Sequence, residues 1–229
     1  MQMLEKLLVG AALGAGVYYV RTTGAGVSAS EYGLGPAFDI LNWSNIAKLA
    51  PIKVDPKTKK RTVDPLMSRL LENANVRAFL MVIRSKESRL DDAAFSLLYG
   101  GGMVQNLADH PRISWKIGVK PLRRCTAADN PRTCTSAAGA FQFQPVTWDG
   151  TAKELGLSGF FNVNQEMAAI GQIAFQGALR YVIDGKLKTA IQKCADVWTS
   201  LPGGSEQLQT YAQARKVFTD YGGSLAAGN

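Results

Sequence analysis

The sequence predicts a mainly helical α+β domain with a small irregular or β region in its middle, preceded by a single apolar N-terminal segment. Three observations carry this. Apolar residues recur at helical spacing in several stretches after residue 76, a Gly-rich and turn-rich middle runs from Gly100 to Gly139, and charge is nearly absent from the first twenty residues. At 229 residues, 46% hydrophobic and 19% charged, the chain is long enough for one domain with appendages. A domain of that size buries about 70% of its unfolded surface. Mean hydropathy near zero excludes a polytopic membrane protein and a wholly disordered chain.

Between Lys6 and Arg21 runs LLVGAALGAGVYYV, fourteen uncharged residues. As a helix it measures about 21 Å, short of a hydrocarbon core of about 30 Å. Counting from Met1 to Val20 gives about 30 Å, with Lys6 and Arg21 able to snorkel, so a marginal single span is expected over residues 1–23. A cleavable signal competes, because VSA before Ser30 resembles a cleavage site, although Arg21 lies between it and the apolar core. A buried or interfacial helix is the third reading. Residues 24–75 read as a basic linker, concentrated in PIKVDPKTKKRTVDP, with FDILNWSNIAKLA as a short amphipathic helix. The folded domain is expected over 76–222, with helices near Trp148–Leu155, Gln165–Ile183, Leu187–Trp198 and Glu206–Tyr221, and a tail over 223–229.

Charge and rare residues narrow the chemistry. A net charge of +8 draws the chain toward polyanions, whether nucleic acid, anionic lipid or cell-wall polymer. His110 is the one histidine, so a catalytic zinc site with two imidazoles is excluded. Cys125, Cys134, Cys194 and His110 lack the close cysteine pair of a structural zinc site, and no metal or cofactor is expected. Cys125 and Cys134 bracket the turn-rich TAADNPRT. A local disulfide follows if the domain lives outside the cytoplasm and free thiols if it does not; the sequence leaves both open.

The first domain helix carries the informative residue. In FLMVIRSKESRL, Val76, Phe79, Leu80, Ile83, Glu87 and Leu90 fall within an arc of about 100° on a helix. A surface glutamate belongs on the opposite face, paired with a base. Glu87 instead points toward the core or a cleft in it, where desolvation raises a carboxyl pKa and keeps an acid protonated. That suits a glycosidase acid; the competing reading is a helix-end salt bridge to Arg84 or Arg89.

Several segments, AFLMVIRSKES, GGGMVQNLADHPR, AAGAFQFQPVTWDGTAKELGL and CADVWTSLPGG, together resemble the phage-lambda type of endolysin over about Arg77 to Gly204. These are peptidoglycan lytic transglycosylases with a lysozyme-like fold. The resemblance implies that Glu87 is the catalytic acid and that Phe141 and Gln142 form the aromatic–Gln pair lining the saccharide cleft, with Phe where a tyrosine is expected. Ser88 stands where a glycine is expected and still belongs, with Phe141, Gln142 and Tyr99, to the expected substrate-binding residues; Ser85-Lys86 replaces an aromatic–Ser pair. The implied reaction breaks the bond between N-acetylmuramic acid and N-acetylglucosamine and leaves a 1,6-anhydro end, so one acid suffices. A hydrolase needs a second carboxylate about 5 to 9.5 Å away, and Asp91 and Asp92 are the rivals by proximity.

Tyr99 or Trp115 would stack on sugars, and Gly100–Gly102 would form a turn at the cleft's edge. His110 is expected to be structural, Cys194 buried, and Trp148, Trp198, Met167, Ile170, Ile173, Leu179 and Phe218 core. The expected partners are peptidoglycan strands, a membrane through the N-terminal helix, and other phage membrane or virion proteins; nucleic acid is not expected. The expected location is membrane-anchored with the domain periplasmic, or an internal virion membrane. A basic, membrane-anchored, DNA-contacting virion protein without activity is the non-enzymatic rival.

Overall fold

The computed structural model describes residues 52–54, 61–63 and 65–229. The expected membrane segment, the amphipathic helix and most of the linker lie outside the described residues. Among the described residues no helix is long and apolar enough to cross a membrane.

A two-stranded antiparallel ribbon comes first, β1 (Ile52–Val54) and β2 (Arg61–Val63), pairing Ile52 with Val63. Seven α-helices follow among the described residues: α1 (Pro65–Glu72), α2 (Ala74–Glu87), α3 (Pro145–Leu155), α4 (Asn162–Phe175), α5 (Leu179–Ile183), α6 (Leu187–Cys194) and α7 (Tyr211–Asp220). Between α2 and α3 lies an irregular lobe holding a second antiparallel ribbon, β3 (Trp115–Lys116) and β4 (Cys134–Thr135), with short 3-10 turns. The mainly helical plan with a small β region is the one the sequence predicts.

Helix α2 is the axis of the core. Val76, Ala78, Phe79, Leu80, Val82 and Ile83 are buried, and the helix packs against α1, α4, α5 and α7. Each large apolar side chain so buried contributes about 1.5–3 kcal/mol. The helix starts where Asn73 accepts a bond from the Val76 N–H at 3.1 Å. It stops at Glu87, because Ser88 leaves helical geometry with its N–H still bonded to the Arg84 carbonyl at 2.9 Å. Leu90, expected on the same stripe, therefore lies beyond the helix and is exposed.

Several boundaries differ from expectation for physical reasons. The helical domain begins at Pro65 rather than Val76, because Met67 and Leu70 of α1 are buried in the core; the proline-rich, basic composition upstream masks their spacing. The helix expected over Gln165–Ile183 breaks at Gly177, which takes a left-handed φ of 63°. Helix α6 stops at Cys194, where the chain tightens into a turn with the Val197 N–H on the Cys194 carbonyl. Helix α7 begins at Tyr211 rather than Glu206, because Thr210 and Gln213 form a reciprocal capping box. The tail is tied down: the Ala226 N–H reaches the Gly185 carbonyl, and Ser224 N–H reaches Asn75.

Trp148, Trp198, Met167, Ile170, Ile173, Leu179 and Phe218 are all core. Cys194 is a buried free thiol whose pKa burial pushes up. His110 is buried between the Phe143 carbonyl, 2.8 Å from Nε2, and the edge of Phe160.

Candidate active site

The last turn of α2 ends in a cleft of about 440 Å³ between the helical body and the irregular lobe. Lys86 and Glu87 reach it from α2, Tyr99, Ile117 and Arg132 from the lobe, and Phe141 and Gln142 from the turn before α3. The loop between α6 and α7 closes the other side with Asp196, Ser200, Glu206 and Leu208. Ile117 and Leu208 are exposed apolar side chains on its walls.

Glu87 is not the surface ion pair that its sequence neighbours suggest. Arg84 is buried, and its guanidinium donates to the carbonyls of Arg89 at 3.2 Å and Asp91 at 2.6 Å while lying 4.9 Å from the centre of the Phe95 ring. Arg89 pairs with the Asp91 carboxylate at 2.6 Å. Neither touches Glu87. Its hydrogen bond comes from a neutral donor, the Ser200 hydroxyl, at 2.5 Å to Oε1. Burial raises the Glu87 pKa to about 7; the Ser200 bond works against the rise, and the nearby Glu206 charge works with it. A carboxyl so poised holds a proton near neutrality and exists as carboxylate just above it, which suits a group that must both give and take a proton.

Ser88, expected among the substrate-binding residues, braces the site rather than lining it. Its hydroxyl donates to the Ala140 carbonyl at 2.6 Å, bracing the end of α2 against the turn that carries Phe141 and Gln142, and it does not line the cleft. That turn is tight. Gln142 sits at a left-handed φ of 47°, with its side-chain amide donating to the Gly139 carbonyl at 2.9 Å. Gly139 has φ 79°, and a Cβ there would strike the Gln165 amide. Phe141 borders the cleft but is only 1% exposed: its ring packs on Phe143 and its carbonyl accepts from the Trp198 indole. Tyr99 lines the cleft and is partly exposed. Trp115, the other sugar-stacking candidate, does not; it packs against the core with Arg124 over its ring.

Cys125 and Cys134 form a disulfide across the loop they bracket. Asp129 inside that loop binds Lys116 and Arg123, each at 2.7 Å, and accepts from the Thr126 N–H, so its pKa is held well below the usual carboxylate range. Asp91 and Asp92 are exposed and do not line the cleft. Among the described residues no group of His, Cys, Asp and Glu is placed to hold a metal ion.

A family model described as Endolysin matches residues 77–225. The chain belongs to the endolysin family. It is 31% identical over 133 residues to the endolysin of Escherichia phage lambda, a match covering 57% of this chain and 77% of that protein. It is also 35% identical over 69 residues to the endolysin of Escherichia phage P2, covering 30% of this chain and 42% of that protein. Among solved structures it is similar to bacteriophage lambda lysozyme complexed with a chitohexasaccharide, with a TM-score of 0.56 and 27% identity, over 67% of this chain and 97% of that one. A second structure of lysozyme from bacteriophage lambda gives a TM-score of 0.54 at 25% identity. This endolysin therefore has a lysozyme-like fold and is a peptidoglycan-cleaving enzyme.

Sequence reasoning passed over three residues that shape the endolysin's site. Ser200 sits in LPGG-flanked sequence that signals only a turn, and its bond to Glu87 spans 113 residues. Glu206 reads as the start of a helix; its N–H instead joins that of Gln207 on the Thr199 carbonyl, which folds the loop back over the cleft. Gln165 was expected simply to open a helix. It is fully buried, accepting from Ala140 N–H at 2.9 Å and donating to the Phe95 and Phe160 carbonyls, so it holds the Gly139–Gln142 turn in place. A glutamine among alanines and Met167 on a core-facing stripe was its one visible signal.

Proposed function

We propose that this endolysin is a lytic transglycosylase in which Glu87 is both general acid and general base. The observation that carries the reading is a half-buried carboxyl in the cleft, bonded to a neutral hydroxyl and in no ion pair among the described residues, with Asp91 and Asp92 outside the cleft lining. Protonated Glu87 gives its proton to the glycosidic oxygen between N-acetylmuramic acid and N-acetylglucosamine as the bond from C1 breaks. The carboxylate then takes the proton of the muramic C6 hydroxyl as that oxygen bonds to C1, closing a 1,6-anhydro ring and restoring the acid. Glu87 ends as it began, and no water enters. The likeness to a lambda lysozyme that holds a chitohexasaccharide supports a glycan in this cleft. Gln142 and Tyr99 are assigned to sugar binding, and Phe141 to packing behind them.

Glu206 favours a second reading, a hydrolytic muramidase, because it is a carboxylate on the cleft wall close enough to influence Glu87. Mass spectrometry of fragments released from purified peptidoglycan decides between them. Anhydro-muramic ends that vanish in Glu87→Gln support the transglycosylase. Reducing ends, lost equally in Glu206→Gln, would replace it with the hydrolase.

The setting is also proposed: residues 1–23 as a membrane segment, the following stretch as a basic spacer, and the domain acting from the periplasmic side in lysis or from a virion membrane. The disulfide supports an oxidising compartment. Carbonate extraction of membranes from cells making the full chain tests the anchor; release of the protein into the wash would sink it.

A further inference from the structure

We propose that Arg132 and Lys86 form a subsite for the carboxylates that peptidoglycan carries on its muramic acid residues, a reading that rests on the glycan-cleaving function above. Both side chains line the cleft and both are exposed. Neither makes an ion pair among the described residues, although Asp196 and Glu206 line the same cleft and are equally unpaired there. The neighbouring cations of the lobe are committed elsewhere: Lys116 and Arg123 to Asp129, Arg124 to the face of Trp115. Arg132 is thus held ready for an external anion.

Its backbone is fixed where the others are spent. Arg132 sits in a 3-10 turn, Pro131–Thr133, capped by Asn130, whose side-chain oxygen accepts from the Arg132 N–H at 3.0 Å. The Cys125–Cys134 disulfide and the Asp129 clamp hold both ends of the loop that presents it. A guanidinium on a rigid base loses little freedom on meeting a planar carboxylate and can bind it bidentately. Lys86 precedes Glu87 and supplies a second positive charge at the catalytic end of the cleft.

The substrate offers the matching chemistry from two sources. Where a stem peptide is attached, the lactyl group of muramic acid is an amide and the free carboxylates belong to the peptide. Where the peptide has been removed, the lactyl carboxylate itself is exposed. A neutral chitooligosaccharide has neither. The subsite therefore separates the wall polymer from other N-acetylated glycans that the rest of the cleft would accept.

The test measures binding and turnover in parallel, with the full chain. Dissociation constants are taken on a Glu87→Gln background, with and without Arg132→Ala, so that affinity is read independently of cleavage. Ligands are soluble strands with stem peptides, the same strands stripped by an amidase, peptide-bearing strands whose carboxylates have been amidated with carbodiimide, and chitohexaose. Arg132→Ala is expected to weaken binding about five- to tenfold on the peptide-bearing strands, more at low salt, and to leave chitohexaose and amidated strands unchanged. A loss confined to peptide-bearing strands assigns the stem carboxylates, a loss confined to stripped strands assigns the lactyl carboxylate, and a loss on both means that the subsite takes either. Arg132→Lys should recover part of the affinity and Arg132→Glu should lose more. Equal losses on charged and neutral ligands, or no loss on any, would overturn the subsite. Charge-dependent binding without turnover by the Glu87 protein would keep the subsite and refute the catalytic reading instead.

Discussion

Glu87 ends α2 in the helical body and Asp129 lies in the disulfide loop of the lobe, and their surroundings make opposite groups of the two carboxylates. Asp129 receives two cations and backbone and hydroxyl donors, which hold it ionised and turn it into a clamp for the disulfide loop. Glu87 is buried at the cleft, which raises its pKa; it receives one hydroxyl, lies near the charge of Glu206, and makes no ion pair with the arginines beside it in sequence, whose guanidiniums are engaged elsewhere. The chemistry therefore lies in the surroundings, burial as well as partners, rather than in the carboxyl. In the proposed function burial makes the acid, and the buried Arg84, bonded to backbone carbonyls, fixes the turn after α2 without pairing with Glu87.

The largest break in that contrast is Glu87→Gln. Turnover of peptidoglycan should fall by about a thousandfold or more, since a positioned acid contributes roughly 10²–10⁴. Stability should not fall with it. The folded pKa of Glu87 is raised from 4.5 to about 7, so between those values the native state holds a proton that the unfolded chain has released. Wild-type stability therefore declines as pH rises through that window, by about 1–3 kcal/mol. Glutamine should remove that slope in thermal melts recorded from pH 4 to 8.

Asp129→Ala comes next. Freeing Lys116 and Arg123 should loosen the loop, cost about 2–5 °C in Tm and lower turnover by about tenfold, with KM affected more than kcat. Because the Asp129 pKa is depressed, its contribution is present above its ordinary value of 3.8 and lost as pH falls below it, the reverse of Glu87. Ser200→Ala should act on Glu87 alone: its bond favours the carboxylate, so its loss raises the Glu87 pKa and moves the alkaline limb of the rate profile upward. A uniform drop at every pH would make Ser200 merely structural. The smallest effect belongs to Asp91→Asn with Asp92→Asn, which should keep turnover within about twofold; a loss comparable to Glu87→Gln would end the single-acid account.

How much of this was legible follows from what each residue contacts. Glu87 was readable because a helix converts spacing into direction, and a carboxyl on the Val76–Phe79–Ile83 stripe contradicts its own solvation. The core tryptophans and α4 were readable for the same reason. Ser200 and Gln165 were not, because their bonds run to Glu87 and Ala140, 113 and 25 residues away, and no local pattern encodes them. Trp115 misleads as a sugar platform, since composition shows an aromatic in a lobe but not that Arg124 covers it. The two readings of Cys125 and Cys134 were separated only by geometry, which brings the sulfurs together.

Carbon-13 NMR of the side-chain carboxyls, assigned with Glu87→Gln, tests the central claim most directly. The account predicts one glutamate resonance titrating at about 7 and absent from the variant. A Glu87 midpoint in the ordinary range near 4.5 would contradict it, because the carboxyl would then be ionised at neutral pH and unable to serve as the acid.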